Sequence, residues 1–164
     1  MNRLLGFAAF CAAAAACASE PPVAPPAGAP LISSLSALGV QIYACEAKDG
    51  AVGWAFKSPE AKLFLQGKPV GTHYAGPAWK SEDGTSVVGE VIAKATAPDA
   101  GAIPWLLLKA KSHEGDGAWA AVAFIRRANT KGGAQPAEGC DAAHIGQTIR
   151  VPYEATYELY GAPL

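Results

Sequence analysis

Residues 86–96 read Ser-Val-Val-Gly-Glu-Val-Ile-Ala-Lys-Ala-Thr, and their alternation decides the fold class. On an extended chain Val87, Gly89, Val91, Ala93 and Ala95 face one way. Glu90, Lys94 and Thr96 face the other, with Val88 and Ile92 breaking the polar side. A period of two marks a half-buried strand. The turn signal Glu82-Asp83-Gly84 precedes this stretch, and similar punctuation recurs on both sides of it. Upstream lie the apolar runs Val40–Ala44, Ala51–Phe56, Ala61–Leu65, Val70–Tyr74 and Ala78–Lys80. They are separated by Lys48-Asp49-Gly50, Lys57-Ser58-Pro59-Glu60, Gly67-Lys68-Pro69 and Gly76-Pro77. Downstream, Ile103–Lys111 and Ala118–Arg127 flank His113-Glu114-Gly115-Asp116-Gly117, which reads as a hairpin loop, and Thr148–Val151 and Glu154–Tyr160 finish the chain. About nine short strands at this spacing predict an all-β, single-domain antiparallel sandwich or barrel with at most one or two short helices. Ala118–Ile125 is apolar on both faces and is read as a central strand, against the helical propensity of its alanines.

The 164 residues suffice for one domain. Thirteen basic and fourteen acidic residues leave a net charge of −1, which gives no electrostatic reason to expect nucleic acid as a partner. Eighteen glycines and thirteen prolines speak against a helical bundle.

The first twenty residues carry an export signal. Arg3 supplies the positive start, Leu4–Ala16 form an apolar run too short to span a bilayer, and small residues surround Cys17. The expected division is a signal peptide over 1–18, a Pro-rich tether over 19–30 and a single β domain over 31–164. Ala16-Cys17-Ala18 suits cleavage by an ordinary signal peptidase. Ala14-Ala15-Ala16-Cys17 equally resembles a lipobox, in which Cys17 is acylated and anchors the protein. Either route ends in the periplasm, cell envelope or extracellular space. There Cys45 and Cys140, the cysteines left in the mature domain, read as a disulfide.

Motifs for chemistry are sparse. Gly115-Asp116-Gly117-Ala118-Trp119-Ala120 fits a dinucleotide fingerprint by letter, but Glu114 and Asp116 would face a pyrophosphate that needs bare backbone N–H groups. No cofactor is expected. His73, His113 and His144 are far apart with no ligand spacing between them, so no metal site is expected either. Ser86 lies near Asp83 and His73 without a nucleophile elbow. The segment Gly71–Trp79 concentrates aromatic surface, and its His73, Tyr74 and Trp79, together with Asn129, are the candidate binding residues. The same composition suits a core aromatic cluster beside a tight turn. Asn129-Thr130-Lys131-Gly132-Gly133 reads as a loop, and of Arg126 and Arg127 just before it at most one points inward.

An ordered series of motifs also stands out. It runs through Val40–Cys45, Gly71–Trp79, Asp83–Gly89, Ile103–Leu107, Asn129–Gly133, Cys140 and Val151-Pro152-Tyr153. In this the chain resembles the secreted bacterial and fungal domain-of-unknown-function family numbered 3455, over roughly Leu31 to Tyr160. The resemblance implies an exported single domain and supplies no catalytic residues. The expected function is a non-catalytic envelope or periplasmic module that binds a small molecule or an envelope protein and touches the membrane only through a lipid anchor. The alternative is a small hydrolase or lyase built around His73, with Asp83 and Asn129 or an arginine.

Overall fold

The computed structural model describes residues 23–164. Eight antiparallel strands follow one another around a single sheet: β1 (Leu31–Lys48), β2 (Ala51–Leu65), β3 (Lys68–Tyr74), β4 (Ala78–Ser81), β5 (Ser86–Ala95), β6 (Trp105–Glu114), β7 (Phe124–Gly132) and β8 (Thr148–Tyr160). Each pairs with the next, and β8 returns to pair with β1 from Leu31↔Tyr160 to Ala44↔Thr148, so the sheet closes as a barrel. The described residues contain no helix. Of the two expected architectures, sandwich or barrel, the structure is the barrel.

The strands number eight, against about nine expected from ten apolar runs, because the breaks at Lys57-Ser58-Pro59-Glu60 and at Pro152-Tyr153 are not turns. Pro59 and Pro152 each sit inside a continuous strand, opposite Gln41 and Val40 of β1 respectively. Proline removes a ladder donor, which a strand tolerates where one side has no partner. β2 meets β3 only from Ala61 to Leu65, and the β7 pairing with β8 ends at Gly132↔Tyr153, so both prolines stand just beyond a second neighbour. β1 also begins earlier than its apolar core suggests, at Leu31.

Inward and outward side chains alternate along the strands except where a register shift intervenes. Leu35, Ala37, Leu63, Trp79, Val87, Leu108, Ile125, Ala155, Tyr157 and Leu159 form one buried cluster. The outer face carries exposed Glu60, Lys62, Glu90, Lys109, Arg150 and Glu154, so polarity is outside and apolarity inside.

Ala118–Ala123 is not a central strand. It is a turn that crosses one end of the barrel, and its apolar side chains Trp119 and Val122 enter the core cluster as a plug. Both its faces are apolar because one meets the barrel interior, not because a second sheet covers it. The Asp83 carboxylate holds the plug, accepting from Ala118 N at 2.7 Å and Thr85 N at 2.8 Å. Nε2 of His113 lies 2.7 Å from the Val122 carbonyl. A Cβ on Gly71 would come within 2.7 Å of the Trp119 ring, so the plug requires glycine there.

At the opposite end the β7–β8 connection folds over the rim of the barrel. Cys45 and Cys140 form a disulfide with Cα atoms 5.4 Å apart, and Trp54 Nε1 donates to the Glu138 carbonyl at 2.8 Å. A link across 95 residues removes unfolded-chain entropy worth about 4–5 kcal/mol on the loop-closure account. The expected signal peptide and Cys17 lie outside the described residues. The end of the Pro-rich stretch does not: Val23 is fully buried, and the Pro30 carbonyl accepts from Gly161 N at 2.9 Å.

The plug predicts a specific sensitivity. Trp119→Ala opens the closed end and is expected to cost about 3–5 kcal/mol in chemical denaturation. A loss below about 1 kcal/mol would show that the barrel end is closed by something else.

Candidate functional site

Because neighbouring strands are antiparallel, the β1–β2, β3–β4, β5–β6 and β7–β8 connections gather at the end away from the plug. A cavity of about 740 Å³ opens there, bordered by Ala75-Gly76-Pro77, by Ala102-Ile103-Pro104 and by Ala134-Gln135. Its volume suits a drug-sized molecule. Phe56, Pro59, Val91 and Leu106 give it apolar walls, while Gln41, Tyr43, His73 and Arg127 bring polar groups into it.

Local irregularities aim several of these side chains. The β1–β2 register shifts between Ile42 and Tyr43, leaving Lys57 unpaired between Phe56 and Ser58, so Phe56 and Pro59 both face the cavity. The β5–β6 register shifts between Val91 and Ala93, which brings Lys94 to the cavity alongside Val91. This corrects the simple alternation expected for residues 86–96, which sets Val91 and Lys94 on opposite faces. A third shift lies between Ala128 and Lys131, where Asn129 takes φ +50°. The stretch 129–132, expected as a loop, is the bulged end of β7, and Thr130 Oγ1 ties it to the Ile103 carbonyl at 2.6 Å.

Arg127 and Arg126 point to opposite faces. Arg126 is outside, bound to Glu158 at 2.8 Å and lying over the Trp105 ring. Arg127 is inside, opposite Leu106 and Tyr157, and its Nε donates to the Pro104 carbonyl at 3.0 Å. Its charge acts on Tyr43, His73, Tyr153 and Tyr157. Burial nevertheless pushes the phenols of all three tyrosines up, so they remain neutral hydroxyls. Tyr43 OH donates to the Gly133 carbonyl at 2.7 Å, and the hydroxyls of Tyr153 and Tyr157 stand 3.4 Å apart.

His73 is 3% exposed and stacks on Trp79 with ring centroids 4.4 Å apart. Its Nδ1 is 2.8 Å from the Ala78 carbonyl and must carry the hydrogen of that bond, which leaves Nε2 as an acceptor in the neutral ring. Burial, with a smaller contribution from Arg127, pushes its pKa down to about 4. Gln41 is equally buried, and its Nε2 has no hydrogen-bond partner. An unpaired buried donor is costly, and this one belongs to a side chain that lines the cavity.

Of the four binding residues expected from the sequence, the structure brings only His73 to this cavity. Trp79 is 1% exposed and backs His73 from within the core, in line with the reading of that segment as a core aromatic cluster. Tyr74 faces outward, and Asn129 is on the exterior with Nδ2 3.3 Å from Thr156 Oγ1. Asp83 and Ser86 are at the plugged end, where Ser86 Oγ donates to Glu114 at 3.4 Å. His144 is in the β7–β8 connection, paired with Asp141 at 2.7 Å. Among the described residues no group of three or more His, Cys, Asp or Glu side chains could hold a metal ion. Gln41, Tyr43, Lys94, Tyr153 and Tyr157 were not singled out by the sequence. For Gln41, Tyr43, Tyr153 and Tyr157 the signal is the period-two pattern of β1 and β8, in which a polar residue occupies an inward position, whereas Lys94 turns inward only through the bulge at Ile92.

Fold and site together define a closed eight-stranded antiparallel barrel with one plugged end and one cavity-bearing end. The chain belongs to the DUF3455 family of proteins of unknown function, whose family model matches residues 64–161, from the end of β2 through β8. No curated protein and no solved structure matches it.

The buried histidine sets a pH dependence. His73 is neutral in the folded protein down to pH of about 4 and titrates near 6.5 when unfolded, so its contribution is intact above that value and lost as the pH falls. From pH about 7.5 to about 5 this removes about 2 kcal/mol. His73→Gln keeps a donor for the Ala78 carbonyl and is expected to flatten the fall in unfolding free energy by that amount. Parallel profiles for the two proteins would show that His73 is not buried neutral.

Proposed function

We propose that this is an exported, non-catalytic binding protein whose barrel cavity takes one small molecule. The observation that carries the reading is the cavity itself, apolar in its walls and reached by the unpaired Nε2 of Gln41. A barrel of eight strands has room inside for packed side chains or for one small ligand. Here the plugged half does the first, and the open half has space for the second. Tyr43, Cys45 and Trp54 pack with Cys140, Ile149 and Val151 under the β7–β8 connection, so the disulfide braces the wall of the cavity. A disulfide in so small a domain suits an oxidising compartment, and the signal pattern of residues 1–18 supplies the route there. Acylation of Cys17 is the proposed means of attachment if the protein stays at a membrane, with the Pro-rich stretch as spacer.

A hydrolase or lyase around His73 has less support. A neutral histidine in a cavity is a candidate base, but His73 contacts the rings of Trp79 and Tyr157 and the Ala78 carbonyl, while Asp83, Ser86 and Asn129 lie elsewhere.

The neutral dye N-phenyl-1-naphthylamine tests the binding reading. Its fluorescence is expected to rise in a saturable manner at one site per chain. The double variant Val91→Trp/Leu106→Trp adds two indoles to the cavity wall and should weaken binding about tenfold or more with circular dichroism unchanged. No enhancement by the native protein, or enhancement indifferent to the double variant, would refute the cavity as the site.

A further inference from the structure

We propose that the cavity selects an amphiphile with one anionic head, a medium-chain aliphatic carboxylate in its simplest form, with the carboxylate seated at Arg127 and Gln41 and the chain directed to the mouth. The inference rests on the binding reading above and adds the ligand class. Its first support is charge. Lys57, Lys94 and Arg127 line the cavity, and no acidic side chain among the described residues does. Lys57 is engaged by Glu46 at the surface, whereas Arg127 has no carboxylate partner among the described residues. The bond from its Nε to the Pro104 carbonyl fixes the plane of the guanidinium, which favours a planar carboxylate over a spherical counter-ion.

The second support is the unpaired donor. Gln41 is 3% exposed with Nε2 unsatisfied, so an acceptor from outside the chain would remove a standing cost. A neutral apolar ligand would leave that cost in place, and a cation would add repulsion from Arg127.

The third is the gradient of polarity. Gln41 and His73, at 3% exposure, are deep, whereas Phe56 and Val91 are 52% and 47% exposed at the rim. Donors at depth, with apolar surface beside the exposed Lys57 and Lys94 at the mouth, suit a head-first orientation. The exposed rim aromatic and aliphatic groups are then covered by the ligand's own chain.

Competition against bound N-phenyl-1-naphthylamine by decanoate, 1-decanol and decyltrimethylammonium tests the proposal on the disulfide-intact protein. Decanoate is expected to displace the dye at concentrations about tenfold or more below those of the alcohol, with the ammonium weakest. Arg127→Met should weaken decanoate about thirtyfold while changing 1-decanol by less than about twofold. Equal competition by acid and alcohol, preference for the ammonium, or indifference of decanoate to Arg127→Met would overturn the anionic selectivity and leave the binding reading standing. If Arg127→Met does not fold, Lys94→Glu serves. It should weaken decanoate severalfold at low salt and not at high salt, and no change at low salt would overturn the proposal. If the native protein takes up no dye, the binding reading is the first to fall, and calorimetry with decanoate alone showing no heat of binding overturns this proposal with it.

Discussion

Pairing of β1 with β8 is the constraint on which the rest depends. An open meander of eight strands would carry two exposed edges and could settle into a sandwich. Joining the long first strand to the last removes both edges and divides every strand into an inner and an outer row. The inner rows then enclose a fixed volume that side chains must fill or leave for a ligand. At one end Trp119, Val122, Leu35, Leu63 and Leu159 fill it. At the other, Gln41, Tyr43, His73, Leu106 and Arg127 line the interior without filling it, and the cavity remains.

Register shifts occur at both ends of the barrel, and those at the open end shape the cavity. Register shifts at Lys57, near Ile92 and at Asn129 all lie toward the cavity end, and each adds a residue to one strand. Such bulges re-aim side chains at the rims of barrels. Here they let Phe56 and Pro59, and Val91 and Lys94, share a face that strict alternation would deny them. Braced by the Cys45–Cys140 link, these strand ends form a wall rather than fraying. Rigid support of this kind keeps the ordering cost of a ligand low.

The all-β class was legible because the apolar runs and their turn punctuation have the right period, and the cysteine pair because Cys45 and Cys140 are the two that follow the expected signal segment. Pro59 and Pro152 misled because a proline reads as a turn unless the strand's neighbours are known. Ala118–Ile125 misled for the related reason that apolarity on two faces reports burial without saying against what. The site was less legible. His73 and an inward arginine could be read locally, but Arg127 differs from Arg126 only in the phase of β7 within the sheet. Lys94 reaches the cavity through a bulge that no local motif announces. Trp79 carried the aromatic signal of a binding cleft and spends it on the core, supporting His73 from behind.

Cross-strand nuclear Overhauser effects between β1 and β8 test the central claim most directly. Strong contacts are predicted between the backbones of Leu35 and Tyr157, Ala37 and Ala155, and Gly39 and Tyr153, with slow amide exchange on both strands. Absence of those contacts, with rapid exchange along β8, would mean an open sheet. It would contradict the closed barrel and the cavity it creates.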